Sequence, residues 1–192
     1  MAESIEWTPK ARAILAAASE LFYAHGIHAV GVDAIAAAAG VTKKTLYDRF
    51  GSKDRLVAEY LAARDRAWRD HLDARLEAAG TEPRTRLRSV FDASAQWAAE
   101  RGGHGCAMVN AHAEIDPDHP AYAVAVGQKS WMLALFVRLA DEAGVRDPEA
   151  VGEQAMLLHE GAVVLSGMGS GRAPFEHAAA AADALVAQVS AA

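Results

Sequence analysis

Apolar positions recur every three or four residues along most of the chain. Ile14, Leu15, Ala18, Leu21 and Phe22 form the first such stripe, the spacing of one face of a helix. Thr8 before Pro9 predicts its start, because a hydroxyl can cap the first turn and proline suits the first helical position. His25-Gly26 predicts its end. Val32, Ile35, Ala36 and Ala39 mark a short second helix between Gly31 and Gly40. Thr42 caps a third helix with Leu46 and Phe50 on its apolar face, ended by Gly51. Ser52 caps a longer fourth helix that carries Leu56, Tyr60 and Leu61 and runs to Ala79, where Gly80 and Pro83 interrupt it.

Five more helices are expected beyond this point. One spans 85–101, ahead of a glycine-rich break over 102–105, and a short one spans 106–115. Pro120 opens a long helix carrying Trp131, Leu135, Phe136 and Leu139 as far as Gly144. Asp147-Pro148 starts the next, which ends in the glycines of 167–171, and the last spans 175–189. No stretch alternates with period two for long. The expected fold is therefore all-α, with about nine helices. Hydrophobic residues make up 52% of the chain and aromatics only 7%. Alanine, the best helix former, thus carries much of the apolar content.

The segment 32–50 sharpens the picture. A short apolar-faced helix meets a turn at Gly40, and a second short helix follows. Ala36 is small where the two would cross, and Val41 can plug the corner. This is the pattern of a helix-turn-helix. The outer side of the second helix offers Thr42, Lys43, Lys44, Thr45, Tyr47, Asp48 and Arg49. A recognition helix brings its first turn to the base edges of the major groove. There lysine suits guanine O6 and N7, and threonine can donate, accept or offer a methyl to thymine. Tyr47 suits a phosphate or sugar, and Lys53, just after the Ser52 cap, suits a phosphate oxygen. The plain alternative is that Lys43, Lys44 and Arg49 are a solvated helix face.

Residues 9–61 resemble the DNA-binding domain of the tetracycline-repressor (TetR) family. The likeness lies in Phe22-Tyr23-Ala24-His25-Gly26, Val32-Asp33-Ala34-Ile35-Ala36, Ala39-Gly40-Val41-Thr42, Thr45-Leu46-Tyr47 and Phe50-Gly51-Ser52-Lys53-Asp54-Arg55-Leu56. The resemblance implies an N-terminal three-helix helix-turn-helix domain, 1–55, followed by a larger helical bundle, 56–192, for ligand binding and dimerisation. It implies DNA contacts at Thr42, Lys43, Lys44, Thr45, Tyr47, Asp48, Arg49 and Lys53. Two departures stand out. Gly31 takes a place where relatives often have Ser or Thr, and Asp48 one that is often aromatic or basic. Asp48 can accept from cytosine N4, or pair with Lys44 or Arg49.

By the same resemblance, the protein is a ligand-responsive regulator, usually a repressor, that binds a palindromic double-stranded DNA operator as a homodimer. A small-molecule effector of unknown identity releases or retunes it. The last two helices would build the dimer interface through Ala155, Leu158, Ala162, Leu165 and Ser166 and through Ala181, Leu185 and Val189. The alternative for these stripes, taken without the resemblance, is plain intramolecular core. The middle helices would enclose the effector, with Phe91, Trp97, Met108, Asn110, His112, Tyr122, Trp131, Met132 and Phe136 as candidates. Aromatics and methionines at helical spacing are more often core than pocket; the polar Asn110, His112 and Glu114 among them suit a pocket, which combines apolar walls with a few polar groups.

Charge adds one point. Residues 1–56 carry seven basic and six acidic side chains, while the rest carries twelve and nineteen. The net charge of −6 therefore sits outside the head, which can still bind phosphate locally. Cys106 is the only cysteine, so no internal disulfide forms. His104, Cys106, His112 and Glu114 could ligate a metal, but their spacing fits no strong template. No nucleophile elbow, phosphate loop or dinucleotide fingerprint appears, so no cofactor is expected. The competing reading is an all-helical enzyme that binds a metal or a hydrophobic substrate. Met1 to Glu6 lack the order of a secretory signal, and no charge-free apolar run approaches the length of a membrane span. The expected location is the cytoplasm, with no membrane partner.

Overall fold

The computed structural model describes residues 5–101 and 103–190, with side chains up to residue 187. Among the described residues there are nine helices and no strand: α1 Pro9–His25, α2 Val32–Ala38, α3 Lys43–Phe50, α4 Lys53–Ala78, α5 Pro83–Arg101, α6 Ala107–His112, α7 Tyr122–Glu142, α8 Pro148–Gly167 and α9 Pro174–Ser190. The all-α expectation holds. The chain forms two compact units. The first comprises Met1–Asp65 and Ala107–Val126, and the second Arg66–Cys106 and Gly127–Ala192. Helix α4 contributes its first half to one and its second half to the other.

In the first unit the caps do what their chemistry suggests. The Thr8 hydroxyl accepts from the Ala11 N–H at 3.2 Å. That of Thr42 accepts from Thr45 N–H at 3.1 Å, and that of Ser52 from Arg55 N–H at 3.0 Å. Each satisfies an N–H that the first turn would otherwise leave unpaired. Ile14, Ala18 and Phe22 of α1, Ile35 and Ala36 of α2, Leu46 and Phe50 of α3, and Leu56, Val57, Tyr60 and Leu61 of α4 are buried. Full burial of such a side chain contributes about 1.5–3 kcal/mol. The turn between α2 and α3 closes with a hydrogen bond from Val41 N–H to the Ala36 carbonyl at 3.0 Å. Gly40 there has φ +65°, the left-handed conformation that glycine adopts without a steric penalty.

The second unit buries Trp68, Leu72 and Leu76 of α4, Leu87, Val90 and Phe91 of α5, and Met132, Leu135, Phe136 and Leu139 of α7. Val151, Ala155 and Ala162 of α8 and five residues of α9 complete that core. Helix α7 is long and apolar enough to cross a membrane by length and composition alone. Its large side chains Met132, Leu135, Phe136 and Leu139 are instead spent on this core. Helix α8 packs closely at Gly152, where an added Cβ would stand 2.6 Å from a Val137 methyl.

Several helix boundaries differ from the sequence expectation, among them the start of α7, which lies at Tyr122 rather than Pro120. Helix α5 starts at Pro83 rather than 85. The Glu82 carboxylate accepts from the N–H groups of Arg84 and Thr85, at 3.1 and 2.6 Å, so Pro83 opens the helix instead of breaking the chain. Hydrogen bonds from the Thr85 hydroxyl and then its N–H hold Glu82 below the ordinary carboxylate range. Helix α6 ends at His112 rather than 115; the Glu114 N–H turns to the Ala111 carbonyl at 2.9 Å, and its side chain reaches the loop before α2.

Candidate nucleic-acid interface

Helix α3 divides cleanly by face. Leu46 and Phe50 are fully buried, and the edge of the Trp7 ring packs against Phe50 with centroids 6.3 Å apart. This anchors the helix and turns its other side outward. Thr42, Lys43, Lys44, Tyr47 and Asp48 are exposed, while Thr45 and Arg49 are half-buried. Tyr47, 40% exposed, is one of the few large hydrophobic side chains left in contact with solvent. The face therefore presents hydroxyls, ammonium groups and one phenol, which suit base edges and the phosphate backbone.

Each basic side chain of this face has an acidic neighbour. Lys43 Nζ lies 3.0 Å from Asp33 Oδ2, Lys44 Nζ lies 2.7 Å from Asp48 Oδ2, and Arg49 Nη1 lies 2.8 Å from Glu6 Oε2. Of the two partners open to Asp48, the structure selects Lys44. The two lysine pairs are exposed and the Arg49 pair partly so, where such a contact contributes about 0.2–1 kcal/mol. They hold the two lysine cations without burying them.

Lys53 is placed differently. Its Nζ donates to the Ile27 carbonyl at 2.6 Å and stands over the Phe22 ring. Ile27 is itself held from the other side, since its N–H donates to Glu114 Oε1 at 3.0 Å. The His28 N–H donates to Glu114 Oε2 at 2.7 Å. Sequence reasoning assigned none of Glu6, Asp33, Ile27 or Glu114 to the interface. Nothing local signals contacts across 87 residues of chain.

The nine effector candidates do not share one unit. Met108, Asn110, His112 and Tyr122 belong to the first, and Phe91, Trp97, Trp131, Met132 and Phe136 to the second. In the first, Met108 is buried, Asn110 and His112 are exposed, and the rings of His112 and Tyr122 lie 5.1 Å apart. In the second, Phe91, Met132 and Phe136 are fully buried. The Trp68 indole N–H meets Met132 Sδ at 3.4 Å. Trp97 packs edge-on against Trp68, and the Arg69 guanidinium covers Trp131.

A polar chain crosses the same unit. The Ser94 hydroxyl lies 2.8 Å from His159 Nε2, and His159 Nδ1 lies 3.2 Å from Glu160 Oε1. Both Glu160 oxygens accept from Lys129 Nζ, at 2.8 and 2.7 Å, and Lys129 also reaches Cys106 Sγ at 3.3 Å. Burial by itself would raise Glu160. The hydrogen bond from His159 and the charge of Lys129 outweigh it and bring the carboxyl down to about 2. Burial would likewise lower Lys129, but Cys106 and Glu160 hold it above the ordinary lysine range. The suggested grouping of His104, Cys106, His112 and Glu114 does not assemble. Among the described residues no three His, Cys, Asp or Glu side chains converge on a metal position.

The dimer candidates also divide. Ala155 and Ala162 lie in the unit's own core. Leu158, Ser166, Ala181 and Leu185 are half-buried, and Leu165 is exposed. The Val189 side chain lies outside the described residues. The apolar surface that α8 leaves open is Leu157, Val164, Leu165 and Met168, with Leu157 73% and Met168 74% exposed.

The family profile of bacterial regulatory proteins, tetR family, matches residues 14–60, which contain all of α2 and α3. The HTH-type transcriptional activator FasR of Mycolicibacterium smegmatis (strain ATCC 700084 / mc(2)155) is 30% identical over 159 residues, covering 80% of this chain and 67% of that protein. A crystal structure of a TetR-family transcriptional regulator from Streptomyces coelicolor matches with a TM-score of 0.86 and 31% identity, over 95% of this chain and 96% of that one. The chain belongs to the TetR family. It is a transcriptional regulator with a DNA-binding helix-turn-helix, and the family's members are soluble regulators rather than enzymes, which sets the enzymatic reading aside. The TetR-family fold also extends to AibR in complex with isovaleryl coenzyme A and operator DNA. That likeness has a TM-score of 0.68 and 19% identity, over 95% of this chain and 98% of that one, and at that identity it concerns the fold alone.

Proposed function

We propose that this TetR-family regulator binds a palindromic operator as a homodimer, reads it with α3, and is released or retuned by a small molecule. One observation carries the reading of the operator: Thr42, Lys43, Lys44, Tyr47 and Asp48 stand on an open face whose opposite side, Leu46 and Phe50, is locked in the core. A single such helix reads too few bases for useful discrimination. Two-fold pairing on half-sites about one helical turn apart answers that. The exposed stripe of Leu157, Val164, Leu165 and Met168 supports α8 as part of the face that pairs.

The effector site is assigned to the second unit. There Phe91, Trp97, Trp131, Met132 and Phe136 supply apolar walls beside buried polar groups. Gln128 is buried with its Oε1 unpartnered, a group that gains from a donor on a ligand. AibR, which shares the fold, holds isovaleryl coenzyme A and operator DNA in one complex. The effector can shift the regulator only by its difference in affinity for the two arrangements.

The test is selection of bound duplexes from a random pool. The expected product is a two-fold palindrome whose affinity falls as salt rises. Enrichment of no sequence overturns the reading. Repression is the mode the family resemblance implies, whereas the relative from M. smegmatis is named an activator. A reporter behind the selected operator separates the two: deleting the regulator raises expression for a repressor and lowers it for an activator.

A further inference from the structure

The loop between α1 and α2 is held by a side chain far along the sequence. Glu114 follows α6, and both of its carboxylate oxygens are used on this loop. Oε1 accepts from the Ile27 N–H at 3.0 Å and Oε2 from the His28 N–H at 2.7 Å. His28 Nδ1 adds a contact to Oε2 at 3.3 Å. Residue 26 has to be glycine for this geometry. Its φ is +85°, and an added Cβ would stand 2.9 Å from Glu114 Oε1. The carboxylate thus occupies the space a side chain would need.

The same loop residue faces Lys53 with its other polar group. The Ile27 carbonyl accepts from Lys53 Nζ at 2.6 Å, and the Ile27 side chain is buried. Glu114, Ile27 and Lys53 form one series: carboxylate to N–H, and carbonyl to ammonium. An ammonium has three donors. One is fixed on Ile27, so the position of the others depends on where the loop is held. The loop also leads directly into α2, whose start at Gly31 has no side-chain cap. Glu114 is therefore the long-range fastening of a stretch that local chemistry leaves loosely specified.

We infer that Glu114 is a positioning residue for DNA binding: it fixes the loop between α1 and α2 and, through Ile27, sets the Lys53 ammonium where it can hold a backbone phosphate. The inference rests on the reading of Lys53 and α3 as DNA-contacting. Glu114 need not touch DNA. It acts through the peptide groups of Ile27 and His28. Its removal weakens a phosphate contact and leaves base reading by α3 intact.

The experiment compares the full-length protein with Glu114→Gln and Glu114→Ala, using the duplex selected by the wild type. The Gln variant keeps size but replaces one acceptor with a donor facing an N–H. Three quantities are read: amide hydrogen exchange at Ile27 and His28, affinity across a salt series, and sequence preference. The expected result is exchange at least ~10-fold faster at both amides in Glu114→Ala, which loses both acceptors, and at one of them in Glu114→Gln, with an unchanged preferred sequence in each. Affinity falls at least several-fold, and the salt slope shrinks by about one, the signature of one lost phosphate contact. A drop in affinity at constant slope would reflect less folded protein and overturns the inference. So does faster exchange with unchanged binding, or unchanged exchange. Should the wild type select no duplex, the proposed operator reading itself fails, an outcome distinct from any difference between wild type and variants.

Discussion

Lys44 Nζ lies 2.7 Å from Asp48 Oδ2, one turn further along α3, with both side chains more than half exposed. On the proposed reading of α3, the pair holds a lysine of the DNA-facing side while placing a carboxylate among groups proposed to meet phosphate. Repulsion between Asp48 and the phosphate backbone would then oppose binding at every sequence. Asp48→Asn is expected to raise affinity about two- to fivefold, the range set by the worth of an exposed ion pair. The gain should be equal across duplexes. A gain confined to duplexes with one particular base change would show instead that Asp48 reads that base.

Lys43 and Tyr47 are predicted to fail in different ways. Lys43 stands in the first turn of α3, the part of a recognition helix that meets base edges. Lys43→Ala should relax the preference at one position of each half-site, worth about 1–3 kcal/mol there. Tyr47→Ala should weaken all duplexes alike. Binding selections run in parallel on the two variants check both.

Leu46 anchors α3 from beneath and is fully buried. Leu46→Ala removes packed methyl groups and is expected to destabilise the folded protein by about 2–5 kcal/mol. Thermal or urea unfolding measures this. A change below that range would mean that the surrounding core closes the gap.

Glu160 ties stability to acid pH. Its carboxyl sits at about 2 in the folded protein against an ordinary value of 4.5. The depressed value means that its stabilisation is complete above the unfolded value and disappears as the pH falls toward the folded one. The shift corresponds to at most about 3 kcal/mol. Glu160→Gln leaves Lys129 buried without its counter-charge, so the variant is expected to melt lower at neutral pH. Melting curves of variant and wild type should converge as the pH is lowered through this window. Curves that stay parallel would show that the Lys129 pair contributes nothing.

Leu157 and Met168 lie on the open apolar face of α8. Leu157→Glu and Met168→Glu place charges there without touching either core. Sedimentation should report a shift from dimer to monomer, together with weaker binding to a two-half-site duplex. Unchanged sedimentation would assign the pairing surface elsewhere.

Much of the interface was legible without coordinates because its determinants are local. Thr8, Thr42 and Ser52 cap the helix starts expected of them, and Leu46 and Phe50 share a buried face because they are one turn apart. Helix α8 was harder to read. Its apolar residues surround most of its circumference, so spacing cannot tell the stripe containing Ala155 and Ala162, which is buried, from the one containing Leu157 and Met168, which is open. Pro83 read as a break because the cap that makes it a start belongs to an acidic side chain, Glu82, outside the usual set.

The order of residues alone determined the helical class, the turn at Gly40 and the exposed face of α3, since helix period, caps and positive φ act within a few residues. Only the tertiary structure decided that Glu114 holds Ile27 and His28, that Lys53 leans on Ile27, and that Ser94, His159, Glu160 and Lys129 form one polar chain. These contacts join positions tens of residues apart. Their formation depends on which helices pack together, a choice made by the burial of whole apolar faces and not by any neighbouring residue.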